Sequence, residues 1–200
     1  MDTLVIPPGS TDLTCLFSGE SDTTHLLNLT SVAYEATSRA MPRRQQQHRQ
    51  VDLLRAAVAV WAETPEVRRT VTCQGVGCFG CCRGDPQVVL DEADRILRCL
   101  TPEVKQRVLQ FQSGKGAAAL CPLLVQGRCS VYAERPLACR MYHSASPPLH
   151  CYPEAAGHQR IRVVVPPAEG LGGMIATLVE RGGRRTLLSE LKRALAQEKG

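Results

Sequence analysis

Apolar and polar positions follow a helical period in several segments of the chain, and little period is present between Cys121 and Cys151. Between Val51 and Ala62, Leu53, Leu54, Ala57, Val58 and Trp61 recur at three- and four-residue steps, so this segment is expected to be an amphipathic helix with Trp61 in the core. The polar run PRRQQQHRQ before it is expected to be a linker, and a helical pattern is already present from Ser31. Residues 88–90 read as extended, and Asp91 is placed to cap a helix running to about Leu100 with Ile96, Leu97 and Leu100 inward. Thr101-Pro102 opens another helix, with Thr at N-cap and Pro at the first helical position, that should stop near Ser113-Gly114. Ile161–Val165 reads as a strand, and the tail LGGMIATLVERGGRRTLLSELKRALAQ as two helices around Gly182-Gly183. Residues 1–30 show no sustained period apart from a short strand at Thr3–Ile6, and no segment repeats.

Cysteine changes this picture. Ten cysteines occur in 200 residues, and TCQGVGCFGCC places four of them in eleven positions. Met1 is followed by Asp2 and a short apolar run without a basic n-region, so no secretory leader is expected, nor is any stretch long enough to span a membrane. The expected location is therefore the reducing cytoplasm, where dense cysteines point to metal or catalysis rather than structural disulfides. The formal charge of +5 is spread along the chain and aromatics are 4% of residues, which argues against nucleic acid as a partner. The expected partner is a metal ion, with room for a protein partner and none for a membrane.

The first block is C-x4-C-x2-C-C, with Cys73, Cys78, Cys81 and Cys82; the second supplies Cys121, Cys129 and Cys139, followed by Cys151. Tetrahedral zinc brings its sulfurs within roughly 4 Å of one another, a spacing that a C-x2-C turn meets. Gly75, Gly77, Gly80 and Gly84 permit the backbone turns such a loop needs, and Pro122 and Pro136 stiffen the second block. Neighbouring side chains in extended backbone point to opposite sides, so Cys81 and Cys82 suit two different centres, or one centre with a spare thiol. Arg83, Arg128, Arg135 and Arg140 flank the thiols, and Arg135 and Arg140 are the better candidates to offset thiolate charge. His143 and His150 lie near enough in sequence to substitute as ligands, while Cys99 on its helix and Cys15 read as ordinary thiols. Glu134 is the carboxylate inside the second block, and no catalytic triad, P-loop or H-E-x-x-H motif occurs.

The order C-x4-C-x2-C-C, a helical spacer of 38 residues, then CP-x-L…G-x-C-x-V-Y-x-x-R-P-x-x-C-R resembles the YkgJ-like cysteine-cluster family, described as a zinc- or iron-chelating domain. The resemblance covers Cys73 to about Tyr142. It implies zinc or iron as cofactor, an iron–sulfur cluster included, held by Cys73, Cys78, Cys81, Cys82, Cys121, Cys129, Cys139 and Cys151. Flagellin lysine N-methylase is similar in this domain, which raises a metal- or cluster-dependent enzyme as an alternative; EGLGG at 169–173 lacks the G-x-G-x-x-G pattern and reads as a turn or helix start. A thiol-based redox or metal sensor is the second alternative. Plant-type [2Fe–2S] ferredoxin spacing also fits C-x4-C-x2-C, but leaves Cys82 and the second block unused.

The expected fold class is thus mainly α with a minor β element, irregular cysteine-rich loops held by metal and a C-terminal helical hairpin. Its expected division is a loosely ordered lead-in at 1–45, a cysteine-cluster metal-binding domain at 46–152, and at 153–200 a strand and helical pair packed on the same domain.

Overall fold

The computed structural model describes residues 28, 30–31, 33–35, 43–72, 79, 82–111, 120–147, 151, 162–166 and 169–198. Among them the backbone is mainly helical, and the strands are two residues long, paired antiparallel in two-stranded sheets. None of the described helices is long and apolar enough to cross a membrane. The chain divides into two compact units, Met1–Thr70 with Val165–Thr177, and Val71–Val164 with Leu178–Gly200. The strand expected at Thr3–Ile6 lies outside the described residues.

In the first unit, helix α1 (Arg43–Glu63) buries Leu53, Leu54, Ala57, Val58 and Trp61, the stripe read from the sequence. The polar run expected as a linker is instead helical from Arg43. Arg and Gln carry little helix penalty, and the buried stripe beyond them supplies the packing that sustains the helix. Thr64 ends it: its amide and hydroxyl both donate to the Trp61 carbonyl, at 3.1 and 2.8 Å. Pro65 then opens α2 (Pro65–Thr70) at the position where a missing N–H costs nothing.

The second unit holds, in chain order, β1 (Gln87–Val88), α3 (Leu90–Cys99), α4 (Pro102–Gln110), β2 (Leu124–Val125), β3 (Arg128–Cys129), a 3-10 turn (Tyr132–Glu134), α5 (Leu137–Met141), β4 (His143–Ser144) and β5 (Val163–Val164). Helix α6 (Leu171–Arg181) crosses into it from the first unit, and β6 (Arg185–Thr186) and α7 (Leu187–Gln197) complete it. Two helices do flank Gly182-Gly183, where Gly183 and Arg184 take φ of +84° and +51°. Between them β6 pairs with β1, which the sequence did not suggest. The strand expected at Ile161–Val165 is limited to β5, paired with β4, and Ile161 lies outside the described residues.

The core of this unit joins Val88, Ile96, Leu100, Val104, Val108, Leu123, Val131, Leu187, Leu191 and Leu195. Ile96 and Leu100 face it and Leu97 packs against it, as the period of α3 requires, but Cys99 falls on the opposite side and is exposed rather than core. Thr101 caps α4, its Oγ1 accepting from the Val104 amide at 3.4 Å. That helix stops at Gln110, earlier than Ser113-Gly114.

The start of α3 corrects the sequence reading. Val89 occupies the N-cap in place of Asp91, and its amide donates to Glu92 Oε2 at 3.3 Å. Glu92 is 2% exposed, and its other oxygen accepts from the Leu137 amide at 2.6 Å, at the start of α5. One carboxylate therefore serves the first turns of two helices. Helix α7 is anchored similarly: the Leu188 amide donates to Asp85 Oδ1 at 2.9 Å, and the Leu187 amide to the Pro86 carbonyl at 2.9 Å.

Replacing Glu92 by Ala strips two buried amides of their acceptor and should cost about 3 kcal/mol in denaturant unfolding, against less for Glu92→Gln, which keeps an acceptor oxygen. On α7, burial pushes the Glu190 carboxyl up, but hydrogen bonds and charge from Arg193 and Arg185 outweigh it and hold the group below its ordinary value of 4.5. A depressed carboxylate stabilises the fold above its unfolded pKa and loses that contribution as pH falls through the folded value. Glu190→Gln is therefore expected to flatten the decline of thermal stability below about pH 4.5, as followed by circular dichroism.

Candidate metal centre

The second cysteine block is built on a hairpin. Gln126 and Gly127 take φ of +49° and +72°, the signs that a two-residue type I′ turn requires, and join β2 to β3 with Leu124 opposite Cys129. The Leu124 amide donates to the Cys121 carbonyl at 3.0 Å, and the Ser130 amide to Leu123 at 2.8 Å, so both ends of the hairpin are closed. A Cβ on Gly127 would stand 3.3 Å from the Phe79 ring, so the absence of a side chain lets the first block approach this turn. The blocks also meet through backbone: the Cys121 amide donates to the Cys82 carbonyl at 2.8 Å, and the Cys82 amide to Phe79 at 2.8 Å.

Cys82, Cys121, Cys129 and Cys139 line one cavity of about 360 Å³, with Asp85, Leu123, Val131, Tyr132, Arg135, Tyr142 and Leu187 among its other walls. Burial pushes the Cys121 thiol up to about 11, so it is uncharged at neutral pH; a hydrogen bond from the Leu123 backbone opposes the shift, and Cys129 and Asp85 add to it. Burial also raises Cys129, against a hydrogen bond from the Val131 backbone and the charge of Arg135. At both positions the opposing amide lies two residues beyond the cysteine. An amide aimed at sulfur favours the thiolate.

Arg135 is the cation of this wall. Its guanidinium lies 4.3 Å from the Tyr132 ring centroid, and its buried Nε has no hydrogen-bond partner among the described residues. Arg140 is aimed elsewhere, its Nε donating to the Arg135 carbonyl at 3.0 Å and its Nη2 to the Ala133 carbonyl. It braces the turn that presents Arg135 and Cys139. Arg128 is exposed, and Glu134 sits in the 3-10 turn outside the cavity walls.

Four of the eight cysteines are therefore gathered from both blocks. Cys151 is buried at 3% exposure but does not line the cavity, nor does His143, which pairs with Val164 in β4. Cys73, Cys78, Cys81 and His150 lie outside the described residues. Among the described residues, no three His, Cys, Asp or Glu side chains stand together as a metal-holding group. Thr72, Phe79, Asp85 and Glu92 escaped the sequence reading because each acts through a contact distant in sequence.

These features define a thiol-lined site on a helical frame, and that donor set suits zinc or iron. Residues 72–161 match the CxxCxxCC family model, described as "Putative zinc- or iron-chelating domain", the family that the cysteine spacing resembles. No curated protein and no solved structure matches the chain.

The close approach at the hairpin turn makes Gly127→Ala a sharp test. A Cβ there meets both a left-handed backbone and the Phe79 ring, so the variant should lose about 1–2 kcal/mol of stability in chemical denaturation.

Proposed function

We propose that this protein binds zinc or iron through its cysteines, with Cys121 and Cys129 as the pair around which the others assemble. The observation that carries this reading is the shared cavity: two of the thiols that line it each take a backbone hydrogen bond from two residues further on that favours the thiolate. Cys82 and Cys139 line the same cavity. Cys73, Cys78, Cys81 and Cys151 complete the ligand pool, and the position of Cys151 away from the cavity wall favours two centres over one. Burial of the pair is consistent with a site that takes its charge from the metal, since a buried thiolate needs a cation beside it.

The function so supported is metal binding itself. Asp85 is the carboxylate among the described cavity walls, and one of its oxygens already accepts from the Leu188 amide at the start of α7.

Anaerobically purified protein should carry about one to two equivalents of zinc or iron by elemental analysis, and the Cys121→Ser, Cys129→Ser double variant should lose at least about half of that. Zinc would leave the visible spectrum empty, whereas iron with sulfide and a broad visible band would identify a cluster. Less than about half an equivalent in native, unoxidised protein would overturn the proposal.

A further inference from the structure

The cavity that the thiols line is larger than an ion needs. Sulfurs around a tetrahedral zinc stand within roughly 4 Å of one another. The cavity measures about 360 Å³, which falls among pockets for small organic molecules, roughly 300–1,000 Å³. Its walls suit such a molecule in kind. Leu123, Leu124, Val131 and Leu187 are buried side chains that line it, and Tyr132 and Tyr142 add rings. In a pocket of this composition the walls hold the body of a ligand, and a few directional contacts orient it.

Arg135 supplies the directional contact. It lines the cavity, its guanidinium carbon lies 4.3 Å from the Tyr132 ring centroid, and its buried Nε has no hydrogen-bond partner among the described residues. A charged donor buried without an acceptor is costly, so it marks a place where an acceptor belongs. The ring covers one face of the guanidinium and leaves the N–H groups in its plane, where Nε–H and a neighbouring Nη–H match the two oxygens of a carboxylate. Arg140 does not compete for that acceptor, because its Nε and Nη2 donate to the carbonyls of Arg135 and Ala133. Asp85 stands in the same walls and disfavours a ligand with a second negative charge.

We infer that this cavity binds a small organic monoanion, a carboxylate on an apolar body, whose head accepts from Arg135 and whose body lies against Leu123, Leu124, Val131 and Leu187. The inference concerns the cavity of the metal-binding reading but does not rest on it, since Arg135 and the apolar walls supply the contacts.

The probe is phenylbutyrate, titrated by calorimetry into the full-length protein as purified at neutral pH, with zinc and iron measured on the same sample. Phenylbutyramide supplies the same body without the charge, and inorganic phosphate supplies charge without the body. Phenylbutyrate should bind saturably and about 10–100-fold more tightly than its amide, and phosphate should not displace it. Arg135→Met should lose about the same factor, and Arg135→Lys, which keeps the charge but not the planar fork, should recover only part of it. Absence of phenylbutyrate binding, equal binding of acid and amide, displacement by phosphate, or unchanged acid affinity in Arg135→Met would each overturn the inference. The comparison of acid with amide uses the wild-type chain alone, so it decides the matter even where Arg135→Met does not fold. A sample that binds the acid but carries neither zinc nor iron would support this inference and overturn the metal reading; one that carries metal and ignores the acid would do the reverse.

Discussion

The second unit depends on a buried carboxylate. Taking a charge out of water costs several kcal/mol unless hydrogen bonds replace the lost hydration, and Glu92 finds that replacement in amides at the starts of α3 and α5. The consequence is directional. Helix α3 packs on α7 through Ile96 and its neighbours, so its place is set by the core. Helix α5 has five residues, too few to be stable as a helix alone, and it carries Cys139. Through Glu92, which holds the Leu137 amide from 45 residues away in sequence, the core dictates where that cysteine stands.

The cysteine region otherwise has little regular structure to lean on. Strands of two residues are below the length at which pairing alone is stable. What holds the hairpin is a combination of an apolar underside, with Leu123 and Val131 in the core cluster, and single hydrogen bonds at defined points. Arg140 contributes by binding two carbonyls of the preceding turn, which leaves Arg135 stacked on Tyr132 at the cavity wall. Two arginines read from the sequence as equivalent thus divide the work: one shapes the loop, the other sets the electrostatics near Cys129.

What the sequence made legible follows from the range of the forces involved. The stripe on α1, the Thr101-Pro102 start of α4 and the inward face of α3 are local patterns, and all three are present. Four of the eight cysteines line one cavity, although no three of the described candidate ligands stand together as a metal-holding group. The capping of α3 was misread because Asp91 has the right chemistry at the wrong place, whereas Glu92 can also reach the Leu137 amide, a partner that no local pattern reveals. Cys99 was misplaced because cysteine is small and apolar and its helix is amphipathic; a shift of one position from Leu100 was enough to turn it outward. The run from Arg43 looked like a linker because it has no apolar stripe of its own, yet a helix propagates into such a segment once its neighbour is packed.

The distribution of charge brings these observations together. Asp85 serves two places at once, accepting from the Leu188 amide at the start of α7 and raising the thiol of Cys121 beside the cavity. Burial raises both hairpin thiols further, while Arg135 and two backbone amides pull the other way without prevailing. On the cavity wall, Arg135 keeps a buried Nε without a hydrogen-bond partner among the described residues, while burial holds the Cys121 and Cys129 thiols above their ordinary value. Thiols raised in this way are suited to a cation able to displace protons from sulfur.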